Sequence, residues 1–320
     1  MKVVALEIKN IGEDVDVSKF NDFGEFVSYS KTSVEEIPDR CKGADVIIIN
    51  KLPINESTIG GLSDLKLVLI TATGKDNVDV EYCKSKGIAV CNVKGYSTDS
   101  VVQHTFAMMF YLCENLKHYD EYVKNGDYCK CDIFTYFGKT FYELKNKVWG
   151  IVGLGEIGRG VAKVAEAFGC KVIYYSTSGN NSNSDYERVS FDELLSKSDI
   201  ISIHAPLTDA TRNLFNKSAF DKMKATAYLI NVGRGPIVNE EDLVDALENG
   251  EIAGAGLDVI NKEPMEDNSP LLHVKDSGKL FVTPHIAWAT YEARTRLMDE
   301  VYLNLKAFID GTEPRNRVDL

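Results

Sequence analysis

The chain has 320 residues, a length that predicts two domains at about 100–200 residues each. Lys and Arg number 36 against 48 Asp and Glu, and the net charge of −12 excludes a broad basic face for nucleic acid or an anionic membrane. Hydrophobic residues make up 44% and charged residues 26%, which excludes a disordered chain, and the longest apolar run, from Phe106 to Cys113, is too short for a membrane span of about 20 residues.

The opening MKVVALEIKN has no small-residue cleavage site after it and reads as a strand over residues 3–8 rather than a signal peptide. Further short apolar runs predict strands over 46–49, 67–70 and 88–91, then over 148–152, 171–175, 200–203, 228–231 and 280–283. Many are apolar at consecutive positions, as in strands covered on both faces. They alternate with helical stretches, which predicts an α/β chain with doubly wound parallel sheets.

Helix starts follow from capping chemistry. Ser100-Val-Val-Gln103 reads as a capping box opening a helix to about Leu116, and Ser190 with Glu193 reads as another. Asn239 precedes the acids Glu240, Glu241 and Asp242, which suit a helix N-terminus, and Gly250 ends that helix. Residues 125–142 read as a loop or arm, and residues 176–185 (STSGNNSNSD) as a polar surface loop. The first block of strands fills residues 1 to about 97, and the second runs from near Val148 to about Thr283. A last helix, about Tyr291 to Ile309, would return to the first block. Two domains with a cleft between them is the resulting expectation. Seven scattered cysteines fit a reducing cytoplasm better than a disulfide scaffold. Cys129 and Cys131 have no second pair at ligand spacing, so no metal site is expected.

After the strand 148–152 comes Gly153-Leu-Gly155-Glu-Ile-Gly158, leading into a helical stretch that ends at Gly169. Glycines at this spacing permit a tight turn, close approach of a pyrophosphate and close helix–strand packing, while the helix N-terminus offers N–H groups to the anion. The acid that should close the next strand and bind the ribose diol is replaced by Ser176, Thr177 and Ser178. No carboxylate repels a 2′-phosphate, yet the nearest downstream basic residue is Arg188. The choice between NAD and NADP stays open.

The stretches ATGKDNVD (72–79), GYSTDSVVQHTFA (95–107), VWGIVGLGEIG (148–158), HAPLTDATRN (204–213), LINVGRGPIVNEEDLVDAL (229–247), GAGLDVINKEP (254–264) and PHIAWAT (284–290) occur in one order along the chain. In these the chain resembles the D-isomer-specific 2-hydroxyacid dehydrogenases over nearly its whole length, most of all the glycerate dehydrogenase (hydroxypyruvate reductase) branch. The resemblance implies a Rossmann cofactor domain over 98–285, inserted in a flavodoxin-like catalytic domain of residues 1–97 and 286–320. It implies a cytoplasmic homodimer and hydride transfer between nicotinamide and C2 of a 2-oxo acid. Asn146 departs from a family glycine, a change expected to affect only a turn.

Reducing a 2-oxo acid requires a gripped carboxylate and a proton donor charged near neutral pH. Arg234 follows a strand end between two glycines, and a forked guanidinium suits a carboxylate. His285, also just past a strand, matches the family's acid–base position; Glu263 would orient its imidazole and stabilise the protonated form. Of the other histidines, His118 and His273 lack context, His104 reads as helix packing, and His204 is implied to lie near the cofactor through its backbone. By the same resemblance the cofactor contacts are Gly153, Gly155, Glu156, Ile157, Gly158, Ser176, Thr177, Ala205, Pro206, Thr211, Val232, Gly233, Arg234, Asp258 (on the nicotinamide carboxamide or ribose) and His285. The substrate contacts are Leu52, Thr73, Gly74, Arg234 and His285. Two rival readings are a phosphoglycerate dehydrogenase and a nicotinamide-sensing corepressor of the same fold. Formate dehydrogenases carry glutamine where Glu263 stands, which argues against that relative.

Overall fold

The computed structural model describes residues 1–181 and 183–319. The chain forms two units, residues 1–97 with 289–320 and residues 98–288.

The first unit carries β1 (Lys2–Ala5), β2 (Glu25–Ser28), α1 (Ile37–Arg40), β3 (Val46–Ile49), α2 (Glu56–Ile59), β4 (Leu67–Ile70), α3 (Val80–Ser85) and β5 (Ala89–Cys91). Its five strands are parallel in the order β2-β1-β3-β4-β5, the flavodoxin-like winding. β3 and β4 (VIII and LVLI) are buried at every position, as expected for central strands covered by helices on both faces.

The second unit runs through α4 (Thr98–Cys113), α5 (Leu116–Lys124), β6 (Val148–Val152), α6 (Glu156–Ala167), β7 (Lys171–Tyr175), β8 (Glu187–Arg188), α7 (Phe191–Lys197), β9 (Ile200–Ile203), α8 (Lys217–Phe220), β10 (Tyr228–Asn231), α9 (Glu240–Asn249), β11 (Gly254–Leu257) and β12 (Leu280–Val282). Seven parallel strands lie in the order β12-β11-β10-β9-β6-β7-β8, so the winding reverses between β6 and β9. This is the Rossmann arrangement, in which ligands bind outside the carboxyl ends of the strands at the reversal. On one face Trp149, Ile151 and Tyr174 pack with Phe106 and Met109 of α4 and Val161 and Ala165 of α6. On the other, Val152, Ile201 and Leu229 pack with Leu194 of α7, Phe220 of α8 and Leu243 of α9. The last helix, α10 (Tyr291–Ile309), belongs to the first unit.

Several expectations shift. The second unit extends to Trp288, three residues past the expected boundary, because the N–H groups of Ile286 and Ala287 bond the Asp258 carboxylate and Ser100 Oγ donates to the Ala287 carbonyl at 2.6 Å. That hydroxyl is therefore not a cap: α4 already begins at Thr98, with Ser100 inside its first turn. The helix also stops at Cys113, and α5 starts afresh after Asn115, whose φ of 53° is left-handed. The box at Ser190 and the cap at Asn239 form as their sequences dictate, and Gly250 ends α9 at φ 71°. β2, β8 and β11 are additional to the expected strands, and of the 176–185 loop Ser182 lies outside the described residues. Asn146 has φ 65°, which explains the family glycine: asparagine is the residue that next best tolerates the left-handed region.

Candidate active site

The functional candidates of the second unit sit at the carboxyl ends of neighbouring strands. Gly153 follows β6, Ser176 follows β7, His204 follows β9, Arg234 lies past β10, Asp258 follows β11 and His285 lies past β12.

The turn after β6 separates three glycine roles. Gly153 has φ 90°, and a Cβ there would come within 2.9 Å of the Ala205 nitrogen. A Cβ on Gly158 would run into the Gly153 carbonyl oxygen. Gly155, the N-cap of α6, is exposed, and a Cβ on it would meet nothing. The chain's own packing thus demands the first and third glycines, while the second leaves a cradle beside the N–H groups of a twelve-residue helix. Glu156 and Ile157 form the first turn of that helix.

The loop after β7 is held by its own polar side chains. Ser176 is buried, and its hydroxyl accepts from the Asn181 N–H. Asn181 in turn caps the glycine turn, its Nδ2 donating to the Leu154 carbonyl at 2.7 Å. Arg188, seven residues on, folds back so that Nη1 donates to the Asn181 carbonyl at 3.3 Å. A cation does therefore stand at this loop. Thr177 is half-buried beside it.

Past β9, Pro206 is exposed and Ala205 buried. Thr211 is buried too; its hydroxyl donates to the Pro206 carbonyl and accepts from the Thr208 N–H, so its side chain closes the turn. The side chain of His204 bonds Ser202 Oγ through Nε2 at 2.9 Å, and Trp149 Nε1 donates to the same oxygen. Burial pushes this imidazole down to about 3, so it is neutral.

Past β10, Asn231 is fully buried and builds the loop: its Oδ1 accepts from Gly233 N–H and its Nδ2 donates to the Arg234 carbonyl. Val232, Gly233 and Arg234 are half-buried. Arg234 Nη1 donates to the Gly233 carbonyl at 2.8 Å, and among the described residues its other guanidinium N–H groups have no partner. A Cβ on Gly235 would overlap the Ile260 backbone, so this loop rests directly on the segment leading to Glu263. Glu240 holds that segment by accepting from the Asn261 N–H, and its burial raises its own pKa.

His285 Nδ1 lies 2.7 Å from Glu263 Oε2, with both side chains partly exposed. An ionised carboxylate only accepts, so Nδ1 carries the proton and Nε2 is left for a ligand. Glu263 Oε1 also accepts from the Ile260 N–H. His285 adopts φ 56°, and its N–H donates to the Asp258 carbonyl. Asp258 is 2% exposed; its carboxylate accepts from Thr283 Oγ1, Ile286 N–H and Ala287 N–H. Three of its roughly four acceptor positions are therefore taken inside the chain.

In the first unit, Glu7 Oε2 accepts from the N–H groups of Asn50, Lys51 and Leu52, and Leu52 is buried. The exposed Thr73 is pinned by its hydroxyl to the Val93 carbonyl, while the N–H groups of Thr73 and Gly74 have no partner among the described residues. Asn231, Asn181, Thr283 and Glu240 escaped sequence reasoning. Only the strand-end position of Asn231 and Thr283 could have flagged any of them.

Residues 106–287 match the family described as D-isomer specific 2-hydroxyacid dehydrogenase, NAD binding domain. A glycerate dehydrogenase of Methylorubrum extorquens is 39% identical over 99% of this chain and 99% of its own length. A hydroxypyruvate reductase of Blautia hydrogenotrophica is 38% identical over 98% of both. Among solved structures, the D-lactate dehydrogenase of Aquifex aeolicus, complexed with NAD and lactic acid, superposes with a TM-score of 0.82 at 29% identity, covering 97% of this chain and 96% of that one. The open cradle at Gly155 fits the dinucleotide that this family binds, since no contact inside the protein calls for glycine there. The chain belongs to the D-isomer specific 2-hydroxyacid dehydrogenases, oxidoreductases acting on 2-hydroxy acids.

Proposed function

We propose that Arg234, Glu263 and His285 interconvert a small 2-oxo acid and its D-2-hydroxy acid, with hydroxypyruvate or glyoxylate as the substrate reduced. The observation that carries this reading is the 2.7 Å His285–Glu263 pair, which engages Nδ1 and leaves Nε2 without a partner among the described residues. Arg234 grips the substrate carboxylate through its unpartnered N–H groups and polarises the adjacent ketone. The reduced nicotinamide, when bound, supplies the hydride that C2 receives. His285 Nε2 gives a proton to the ketone oxygen as that oxygen gains charge, and Glu263 stabilises the imidazolium beforehand. In the reverse direction the same nitrogen takes the hydroxyl proton.

Gly153, Gly155, Glu156, Ile157, Gly158, Ala205, Pro206, Val232 and Gly233 would hold the dinucleotide mainly through backbone. The remaining acceptor position of Asp258 is the one free for a carboxamide N–H. Thr73 and Gly74 N–H groups are proposed as further donors to the substrate carboxylate, and Leu52 as a contact of its tail. The lack of an acid after β7 and the placement of Arg188 support use of NADPH as well as NADH. The exposed Phe134 and Phe137, 90% and 85% accessible, support a homodimer through this arm, and the reducing cytoplasm suits the seven free thiols.

The test is oxidation of NADH and NADPH against hydroxypyruvate, glyoxylate, pyruvate and phenylpyruvate. A small 2-oxo acid should be turned over, and Arg234→Ala should raise KM and lower kcat together, by about 2–4 kcal/mol in kcat/KM for a lost charge-assisted grip. Absence of turnover with all four acids and both cofactors, together with capture of a peptide partner, would instead support the corepressor.

A further inference from the structure

We propose that His104 is a positioning residue for the reaction, acting on His285 through Thr283 and Asp258; this rests on the reading of His285 as proton donor. His104 lies on α4, nearly two hundred positions from His285 in sequence, and its Nε2 is 3.0 Å from Thr283 Oγ1. The proton count along this chain of atoms is determined. Thr283 has one hydroxyl hydrogen and directs it at Asp258 Oδ1, 2.6 Å away, because an aspartate near neutral pH only accepts. Thr283 Oγ1 is then an acceptor toward His104, so Nε2 of His104 must carry hydrogen. The histidine is a donor, and its Nε2 also lies 3.6 Å from Asp258 Oδ1.

Asp258 passes this constraint on. Its oxygens accept from Ile286 N–H at 2.8 Å and Ala287 N–H at 2.9 Å, the two residues after His285, and its carbonyl accepts from His285 N–H at 2.8 Å. His285 needs such restraint because its left-handed φ of 56° is unfavourable for a residue with a side chain. One helical turn before His104, Ser100 Oγ donates to the Ala287 carbonyl at 2.6 Å. Positions 100 and 104 share a face of α4, and its other buried residues, including Met108, Met109 and Leu112, are largely apolar. The helix thus presents two polar groups to the loop that carries the proton donor. Packing alone would ask for neither.

His104→Ala should lower kcat roughly 10- to 100-fold with KM for the 2-oxo acid changed less than about twofold, since small misplacement of a reacting group costs that much. His104→Gln, which can offer an N–H at the same reach, should recover most of the loss. Thr283→Val removes the hydroxyl with little change of shape and should reproduce the defect without touching the helix. The double variant should be no slower than either single one, because both break one chain of bonds. A folded His104→Ala or Thr283→Val with wild-type kcat overturns the proposal, as do losses that multiply in the double variant. His285→Ala in the same assay separates the two readings. If it keeps its rate, the proton-donor assignment fails; if it alone is inactive, only the role of His104 falls.

Discussion

Two histidines follow parallel strands of the same sheet and have opposite chemistry. His204 continues directly from β9, its side chain is enclosed, and its imidazole is held neutral by burial. His285 stands three residues past β12, on a left-handed turn, with its ring partly exposed and its Nδ1 on a carboxylate. Position at a strand end therefore does not make an acid–base group. Under the proposed mechanism, what does is the carboxylate partner on one ring nitrogen and the absence of a partner, among the described residues, on the other. For His204 no carboxylate stands beside the ring: Nε2 shares Ser202 Oγ with Trp149 Nε1, and Nδ1 is buried without a partner among the described residues.

The largest effect that this contrast predicts is for His285→Ala. Loss of a positioned proton donor should cut kcat by about 10²–10⁴-fold in the cofactor-oxidation assay, and a loss under tenfold would erase the distinction between the two rings. Glu263→Gln keeps a polar group beside Nδ1 but removes the charge that favours the imidazolium. A charge-assisted bond of about 1.5–3 kcal/mol corresponds to roughly 10- to 100-fold in rate, and an unchanged rate would mean the pair is structural. The smallest effect belongs to His204 and appears in stability, not rate. Its folded pKa is depressed, so the unfolded chain binds the proton first as pH falls and the folded state loses stability from about pH 6.5 toward about 3. The slope is about 1.4 kcal/mol per pH unit, and His204→Gln should remove that share of it. Urea unfolding of both proteins at pH 7 and pH 5.5 gives the comparison; parallel slopes would show that His204 is not held neutral.

Much of the architecture was legible because central parallel strands are runs of mostly consecutive apolar residues: 46–49, 67–70, 148–152, 171–175, 200–203 and 228–231 all form as read. The strands that escaped reading lack that signature. β2 is an edge strand with a half-exposed pattern, β8 has two charged residues, and β11 (GAGL) carries glycines that no propensity would assign to a strand. Within the candidate site, the proposed roles of Arg234, Glu263 and His285 rest on motif, and for Arg234 and His285 also on a place just past a strand end. Asn181, Arg188 and the link from His104 to Thr283 were not, because their partners lie on other elements and only the fold brings them together. The capping box at Ser100 misled for a related reason: its spacing is right, but a tertiary acceptor at Ala287 claims the hydroxyl.

The middle glycine of the turn after β6 has an evolutionary corollary. Gly153 and Gly158 are tied to how the backbone folds, so a descendant that lost them would lose the domain. Gly155 answers to no neighbour, so a side chain there is compatible with the fold and, on the proposed reading, closes the approach to the nucleotide. Within this lineage, a chain that had given up redox chemistry for some other duty could reveal it first at that single position.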